Sequence, residues 1–313
     1  MQLKPIKIGD FTAKNNLFLA PLAGYTNYPF RKLCSSFGAG LCFTEMVSAK
    51  GLKYGSENTE ELLHTDKSER AGAQIFGSDP DIMREACEHS ALAPFQIVDI
   101  NMGCPVPKIY KNGEGSALLE NPLLAEKIVK ECVKRGKIIT VKFRIGVNKE
   151  KIITEEFARR MEGAGASLIT IHGRTRDMFY TGEVDFKEIE KAKKAVDIPV
   201  IANGGVFSVS DAETLMDKTG ADGVMIARAA TFDPQIFADF TGKERISKFE
   251  LFSRQLIDTR NCFDERFTTV FMRKMGVFYL KGQRGGAEFK NKFFACNTPD
   301  EVLEVARLAW GEE

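Results

Sequence analysis

The chain predicts an α/β fold, a (β/α)8 TIM barrel followed by a small all-helical C-terminal domain, and three observations carry that reading. Short β-branched runs recur eight times between residues 17 and 227. Amphipathic stretches with helix-start signals alternate with them, as in a parallel sheet wrapped by helices. After Asp239 the alternation stops and only helical periodicity continues.

The strand candidates are Leu17 to Ala20, Leu41 to Thr44, Gly72 to Phe76, Gln96 to Ile100, Ile138 to Phe143, Leu168 to Ile171, Ile198 to Ala202 and Gly223 to Ala227. Most are apolar at successive positions, the pattern of strands buried on both faces. Helix starts stand between them: Asp79 precedes Pro80 and Asn121 precedes Pro122, which suits N-cap and first-turn positions. Beyond the barrel, Phe249 to Ile257 and Phe271 to Leu280 repeat at helical spacing. The expected division is residues 1–240 for the barrel and 241–313 for the helical domain.

With 313 residues the chain can hold one large barrel and an appendage. A net charge of +1 and 43% hydrophobic residues exclude a globally basic polyanion binder, so any basic surface is local. Seven cysteines without CxxC spacing point to free thiols in a reducing cytoplasm. The three histidines, His64, His89 and His172, lie far apart, and no metal site is expected. No signal-peptide core or membrane-length apolar run is present, so a cytoplasmic protein is expected.

Chemistry concentrates at the strand ends. The residues at or just beyond them are Pro21, Glu45, Gln74, Asn101 with Cys104, Lys142, His172 with Arg174, Asn203, and Arg228. In a barrel all of these share the C-terminal face, where the catalytic loops lie. Cys34, Cys42, Cys87 and Cys132 sit in apolar-periodic segments and read as small core residues. Cys104 differs, because Gly103 and Pro105 bound it in a turn after a buried strand. Lys142 falls within a strand and needs an anionic partner if it points inward. Asn203-Gly204-Gly205 and Ala227-Arg228 follow the last two strands, where many barrels bind phosphate through backbone N–H groups.

From Lys243 to Lys292 there are twelve Lys/Arg against six Asp/Glu, a local excess of +6. Arg254, Arg260, Arg266, Arg273, Lys274, Lys281 and Arg284 recur through this segment. A polyanion footprint and a solvated basic face both fit these residues alone.

Seven motifs in fixed order resemble the tRNA-dihydrouridine synthases, FMN-dependent flavoenzymes built of a barrel and a helical domain. They are Ala20 to Gly24, Gln74 to Gly77, Asn101 to Pro105, Gly113 to Leu118, Val141 to Arg144, His172 to Arg176 and Ile201 to Gly205, and the match spans nearly the whole chain. The resemblance implies FMN contacts from Pro21, Leu22, Ala23, Gln74, Lys142, His172, Asn203, Gly204, Gly205, Ala227 and Arg228. It implies that Cys104 is the proton donor and that NADPH is the reductant. Asn101, Arg174, Arg176, Arg266, Arg273 and Lys274 would meet the tRNA, and the C-terminal domain would bind it. Two positions depart from the family pattern. Leu22 replaces a usual methionine at conserved volume, and Ala227 replaces a common glycine, adding a methyl beside the expected phosphate site.

The implied reaction reduces the 5,6-double bond of uridine, with hydride added at carbon 6 and a proton at carbon 5. A thiol of ordinary pKa, roughly 8.5, is protonated at neutral pH and can supply that proton. Three other readings compete: a small-molecule pyrimidine reductase of the dihydroorotate dehydrogenase type, a flavin-free barrel acting on a sugar phosphate, and a non-catalytic RNA-binding protein. None of them accounts for both Cys104 and the basic C-terminal segment.

Overall fold

The computed structural model describes residues 2–66 and 69–311. A two-stranded antiparallel ribbon, β1 (Ile6–Ile8) and β2 (Phe11–Ala13), precedes eight parallel strands. These are β3 (Leu17–Leu19), β4 (Leu41–Ser48), β5 (Ala71–Phe76), β6 (Ile97–Met102), β7 (Ile138–Arg144), β8 (Leu168–His172), β9 (Val200–Asn203) and β10 (Gly223–Ile226). They close in the order β10-β3-β4-β5-β6-β7-β8-β9, a (β/α)8 barrel.

Two features go beyond the sequence reading. The ribbon was not expected, since each of its strands has only three residues with an exposed centre. Ile6, Ile8, Phe11 and Ala13 pack with Phe18, Phe43, Ile97 and Ile201 and cap the barrel's lower interior with apolar side chains. Strand β4 runs four residues past Thr44 and carries a bulge, because Phe43 pairs with Gly72 while Met46 pairs with Gln74.

Alternation along the strands decides what fills the barrel. Val98 and Ile100 of β6, and Ile139, Val141 and Phe143 of β7, join the layer packed under the helices. The residues between them therefore face inward. The interior is apolar at the ribbon end and turns polar upward, through Gln74, Asp99 and Thr140 to Asn101, Lys142, His172 and Asn203. Cys34, Cys42, Cys87 and Cys132 all lie in the core outside this column.

Helix starts follow the local chemistry. Asp79 accepts from the Asp81 and Ile82 N–H groups, and Asn121 from Leu124 N–H, each ahead of a first-turn proline. Past the barrel come four helices, Lys248–Cys262, Glu265–Tyr279, Gly286–Ala295 and Pro299–Trp310. Phe252, Tyr279, Phe293 and Trp310 form their aromatic core. This helical region docks on the barrel through Phe278, stacked on Phe232 at 5.6 Å and edge-on to Tyr25 at 5.2 Å, and through Lys32 to Asp258 at 2.7 Å. Among the described residues no helix is long and apolar enough to cross a membrane.

Candidate active site

A cavity of about 430 Å3 opens at the C-terminal end of the barrel, within the size range of cofactor pockets. Pro21, Leu22 and Ala23 after β3, Asn101 near the end of β6 and Cys104 beyond it, and Lys142 of β7 line it. So do His172 at the end of β8 and Arg174 beyond it, Asn203 at the end of β9 with Gly204 and Gly205 beyond it, and Ala227 and Arg228 after β10. Residues more than two hundred positions apart, Pro21 and Arg228, converge because every parallel strand delivers its end to the same face.

Charge is the cavity's dominant property. Lys142, Arg144, Arg174 and Arg228 line it, and no Asp or Glu does among the described residues. Burial, reinforced by Arg144, lowers the Lys142 ammonium to about 8. Its Nζ donates to Asn203 Oδ1 at 3.1 Å, and the buried Asp99 carboxylate is the anion that partly offsets its desolvation. His172 is held neutral, its pKa depressed well below the usual range by burial and then by Arg144, Lys142, Arg174 and Arg228. Its Nε2 lies 3.2 Å from Arg174 Nη1. A guanidinium only donates, so Nε2 accepts and the imidazole proton resides on Nδ1. Arg174 is anchored in turn by the Gly182 carbonyl, at 3.1 and 2.9 Å.

Backbone comes close where glycine permits it. Gly204 has φ of +123° and Gly205 of +74°, conformations that disfavour a side chain. A Cβ on Gly204 would stand 3.1 Å from the His172 ring and 3.3 Å from Arg174 Nη1. The turn therefore lies flat on the cationic wall, with Arg228 beside it.

Cys104 is 9% exposed and faces the cavity. Its turn is fixed by Asn101 and by Ser116, whose Oγ donates to the Cys104 carbonyl at 2.7 Å. Burial raises the thiol's pKa, against smaller lowering influences from the Val106 N–H, Arg144 and Lys142. The sulfur thus keeps its proton at neutral pH.

Some of the sequence candidates stand elsewhere. Gln74 is buried one layer below the cavity, donating to Asp99 Oδ2 at 2.6 Å and accepting from Asn101 Nδ2 at 2.8 Å. Arg176 lies outside the cavity with its guanidinium 3.8 Å from the Tyr110 ring centroid. Arg266 is exposed on the helical region, Arg273 donates to the Phe294 carbonyl, and Lys274 donates to the Gly24 carbonyl on the barrel. Several other cations of that segment are paired, Arg254 with Glu250 and Arg260 with Asp300. Arg144, Tyr180, Phe207 and Phe278 line the cavity and were missed. Arg144 carried a signal, two residues beyond Lys142 in the same strand, whereas the aromatics come from loops and a distant helix. Tyr180 lies between the Arg144 and Arg228 guanidiniums, at 5.6 and 5.4 Å from its ring centroid.

The dihydrouridine synthase family model matches residues 18–311. A tRNA-dihydrouridine synthase B of Vibrio parahaemolyticus is 40% identical over 96% of this chain and 97% of its own length. A probable tRNA-dihydrouridine synthase 1 of Synechocystis is 36% identical over 96% of this chain and 88% of its own. In fold the chain is similar to an old yellow enzyme homologue from Zymomonas mobilis, with a TM-score of 0.57, 15% identity and coverage of 78% of this chain and 93% of that one. Morphinone reductase superposes with a TM-score of 0.56 at 12% identity, covering 77% and 89%.

Proposed function

The chain belongs to the dihydrouridine synthase family, and from that premise we propose that it is a flavin-dependent oxidoreductase reducing the 5,6-double bond of uridines in tRNA. The flavin is FMN and the reductant NADPH. The observation that carries the reading is a cavity with four cations, no carboxylate among the described residues and one thiol whose pKa burial raises. Its donor set fits a phosphorylated flavin: Gly204, Gly205 and Arg228 would receive the phosphate, while Lys142 and the neutral His172 would meet the ring. Ala227 heads the short helix Arg228–Phe232 and lines the cavity beside Arg228.

Held by Lys142, His172, the Gly204–Gly205 turn and Arg228, a flavin would supply hydride chemistry at carbon 6 of the uracil. The chain's own residues do the rest. Cys104 holds a proton next to that site and delivers it to carbon 5, while Lys142 and Arg144 offset the negative charge that builds on the ring carbonyl. Asn101, Gln74 and Asp99 hold the Cys104 turn from beneath. The uridine must leave its stack to reach the cavity, and the helical region, residues 241–313, borders the mouth through Phe278 and would grip the surrounding RNA. This division leaves residues 1–240 as the catalytic barrel. The work is cytoplasmic, where tRNA and reduced nicotinamide are available. The test is anaerobic: holoenzyme reduced with NADPH should be reoxidised rapidly by an unmodified tRNA transcript and slowly by tRNA already carrying dihydrouridine, and equal rates would reject the reading.

A further inference from the structure

A second cavity, of about 510 Å3, lies beside the first, between the tops of β3 and β4 and the helix Glu265–Tyr279. Phe267, Phe271 and Phe294 form its walls, Glu45 and Lys274 bring charges to its barrel side, and Arg273 adds a further cation, engaged by the Phe294 carbonyl. The rim is open, since Phe267 is 40% and Phe294 48% exposed. Large apolar side chains displayed around a pocket mark a contact surface more often than chance exposure.

The partition between the two cavities is thin. Ala23 lines the first and Gly24 the second; Met46 lines the first and Glu45 the second. The β4 bulge accounts for the latter split. The extra residue is held by Thr44, whose Oγ1 accepts from Gln74 N–H at 3.0 Å and donates to the Glu45 carbonyl at 2.8 Å. Bulges of this kind re-aim a side chain beside a site. Glu45 is thereby 93% buried, as its 7% exposure states, and one of its oxygens accepts from Gly24 N–H. The other oxygen, Oε1, accepts no hydrogen bond from any described residue. That oxygen is not fully enclosed, and it is open to a donor entering the cavity that Glu45 lines. Lys274 stands across from it with its ammonium on the Gly24 carbonyl and over the Tyr25 ring at 4.2 Å, which leaves N–H capacity to spare.

We propose that this cavity is a second nucleobase pocket, which takes a guanine neighbouring the reactive uridine when that uridine enters the barrel. The inference rests on the tRNA reading above. A carboxylate oxygen beside an ammonium complements a ring N–H beside a carbonyl, the edge shared by guanine and uracil and lacking in adenine and cytosine. The phenylalanine walls supply stacking surface, and the volume favours the purine. Filling both cavities at once would hold the unstacked strand across the Gly24–Tyr25 partition, so the pocket would select sequence around the target as well as the target itself.

The test is a cycle between protein and RNA, using holoenzyme and tRNA transcripts with dihydrouridine formation as the readout. Guanosines in the loop carrying the reduced uridine are changed one at a time to adenosine, and the other uridines of that loop to cytidine. Glu45→Gln keeps an acceptor for Gly24 and presents an amide donor to the pocket. One guanosine change should lower kcat/KM roughly ten- to a hundredfold with the unaltered enzyme, the scale of a hydrogen bond to a charged group. Glu45→Gln should cause the same loss on the unchanged tRNA and add nothing on that altered tRNA, with flavin content and NADPH oxidation unchanged. Additive losses, or no sensitive guanosine, would overturn the proposal. Coupling to a uridine instead would overturn guanine as the occupant. If Glu45→Gln fails to hold flavin, Phe294→Ala on the rim enters the same cycle with the same expectations. A failure of the family reading is separately visible, because the unaltered enzyme would then reduce no tRNA at all.

Discussion

Asn101 holds Cys104 through a single side-chain oxygen: its Oδ1 accepts the Cys104 N–H at 2.9 Å and the Gly103 N–H at 3.1 Å. The orientation of that amide is set from below. Its Nδ2 donates to Gln74 Oε1 at 2.8 Å, Gln74 Nε2 donates to Asp99 at 2.6 Å, and Thr140 Oγ1 donates to the other Asp99 oxygen at 2.6 Å. An ionised carboxylate only accepts, so it fixes the direction of every bond up to the thiol's turn.

Asp99→Asn sets an amide N–H against Gln74 Nε2, or forces the Thr140 hydroxyl to turn round and accept. Stability should fall by about 1–3 kcal/mol in denaturant titration, the cost of a buried unsatisfied group, and tRNA reduction should slow while flavin stays bound. Burial pushes the Asp99 carboxyl up to about 6, against the lowering hydrogen bonds from Gln74 and Thr140. Protonation turns this acceptor into a donor as pH falls through about 6, so tRNA reduction should drop on that side in the unaltered enzyme and not in Asp99→Asn. Matching acid limbs in the two proteins would remove Asp99 from this role.

Cys104→Ala should leave flavin reduction by NADPH intact and slow tRNA reduction by about 10²–10⁴-fold, the usual loss on deleting a general acid. Because burial raises the thiol's pKa, activity should persist into alkaline solution beyond the ordinary thiol range. Rapid-mixing measurement of the two half-reactions separates these effects, and tRNA reduction within a few fold of the unaltered rate would reassign the proton donor.

Burial, only partly offset by Asp99, lowers the Lys142 ammonium to about 8 in the flavin-free chain, so its charge is lost as pH rises through that value. FMN affinity of the flavin-free protein should weaken between about pH 7 and pH 9, and Lys142→Arg, always protonated, should bind with little pH dependence. Lys142→Ala should retain less flavin throughout. A flat affinity profile in the unaltered protein would argue against contact between Lys142 and the cofactor.

Arg266 is exposed and makes no ion pair with a described residue, unlike Arg254 and Arg260. If it meets a phosphate, Arg266→Ala should weaken tRNA binding and flatten the log–log salt slope by roughly 0.7–0.9, with flavin content unchanged. Arg273 and Lys274 are engaged by the carbonyls of Phe294 and Gly24. Replacing them should cost affinity with a smaller change in slope. Filter binding across a salt series distinguishes the two patterns.

The barrel was legible because its signals are local: eight buried parallel strands read as eight apolar runs, and their ends name most of the cavity. Cys104 was legible from the turn that Gly103 and Pro105 impose. What could not be read came from distance. Tyr180, Phe207 and Phe278 meet only because two loops and a helix of the C-terminal region converge over the cavity. Gln74 looks like a strand-end ligand, yet alternation and strand register bury it a layer below, where it serves Asn101. The +6 segment overstated the free charge, since Arg260 pairs with Asp300 of the last helix, outside the counted window. The β4 bulge gives no sequence signal, although it decides where Glu45 points.

Reduction of uridine within tRNA is the activity proposed for this cavity. The most direct measurement incubates purified holoenzyme and NADPH with unmodified tRNA and maps dihydrouridine by nucleotide position, with orotate and free uridine in parallel. Dihydrouridine should form at defined positions of the tRNA and be abolished or nearly so in Cys104→Ala. Turnover of the free pyrimidines with no dihydrouridine in the tRNA would contradict it.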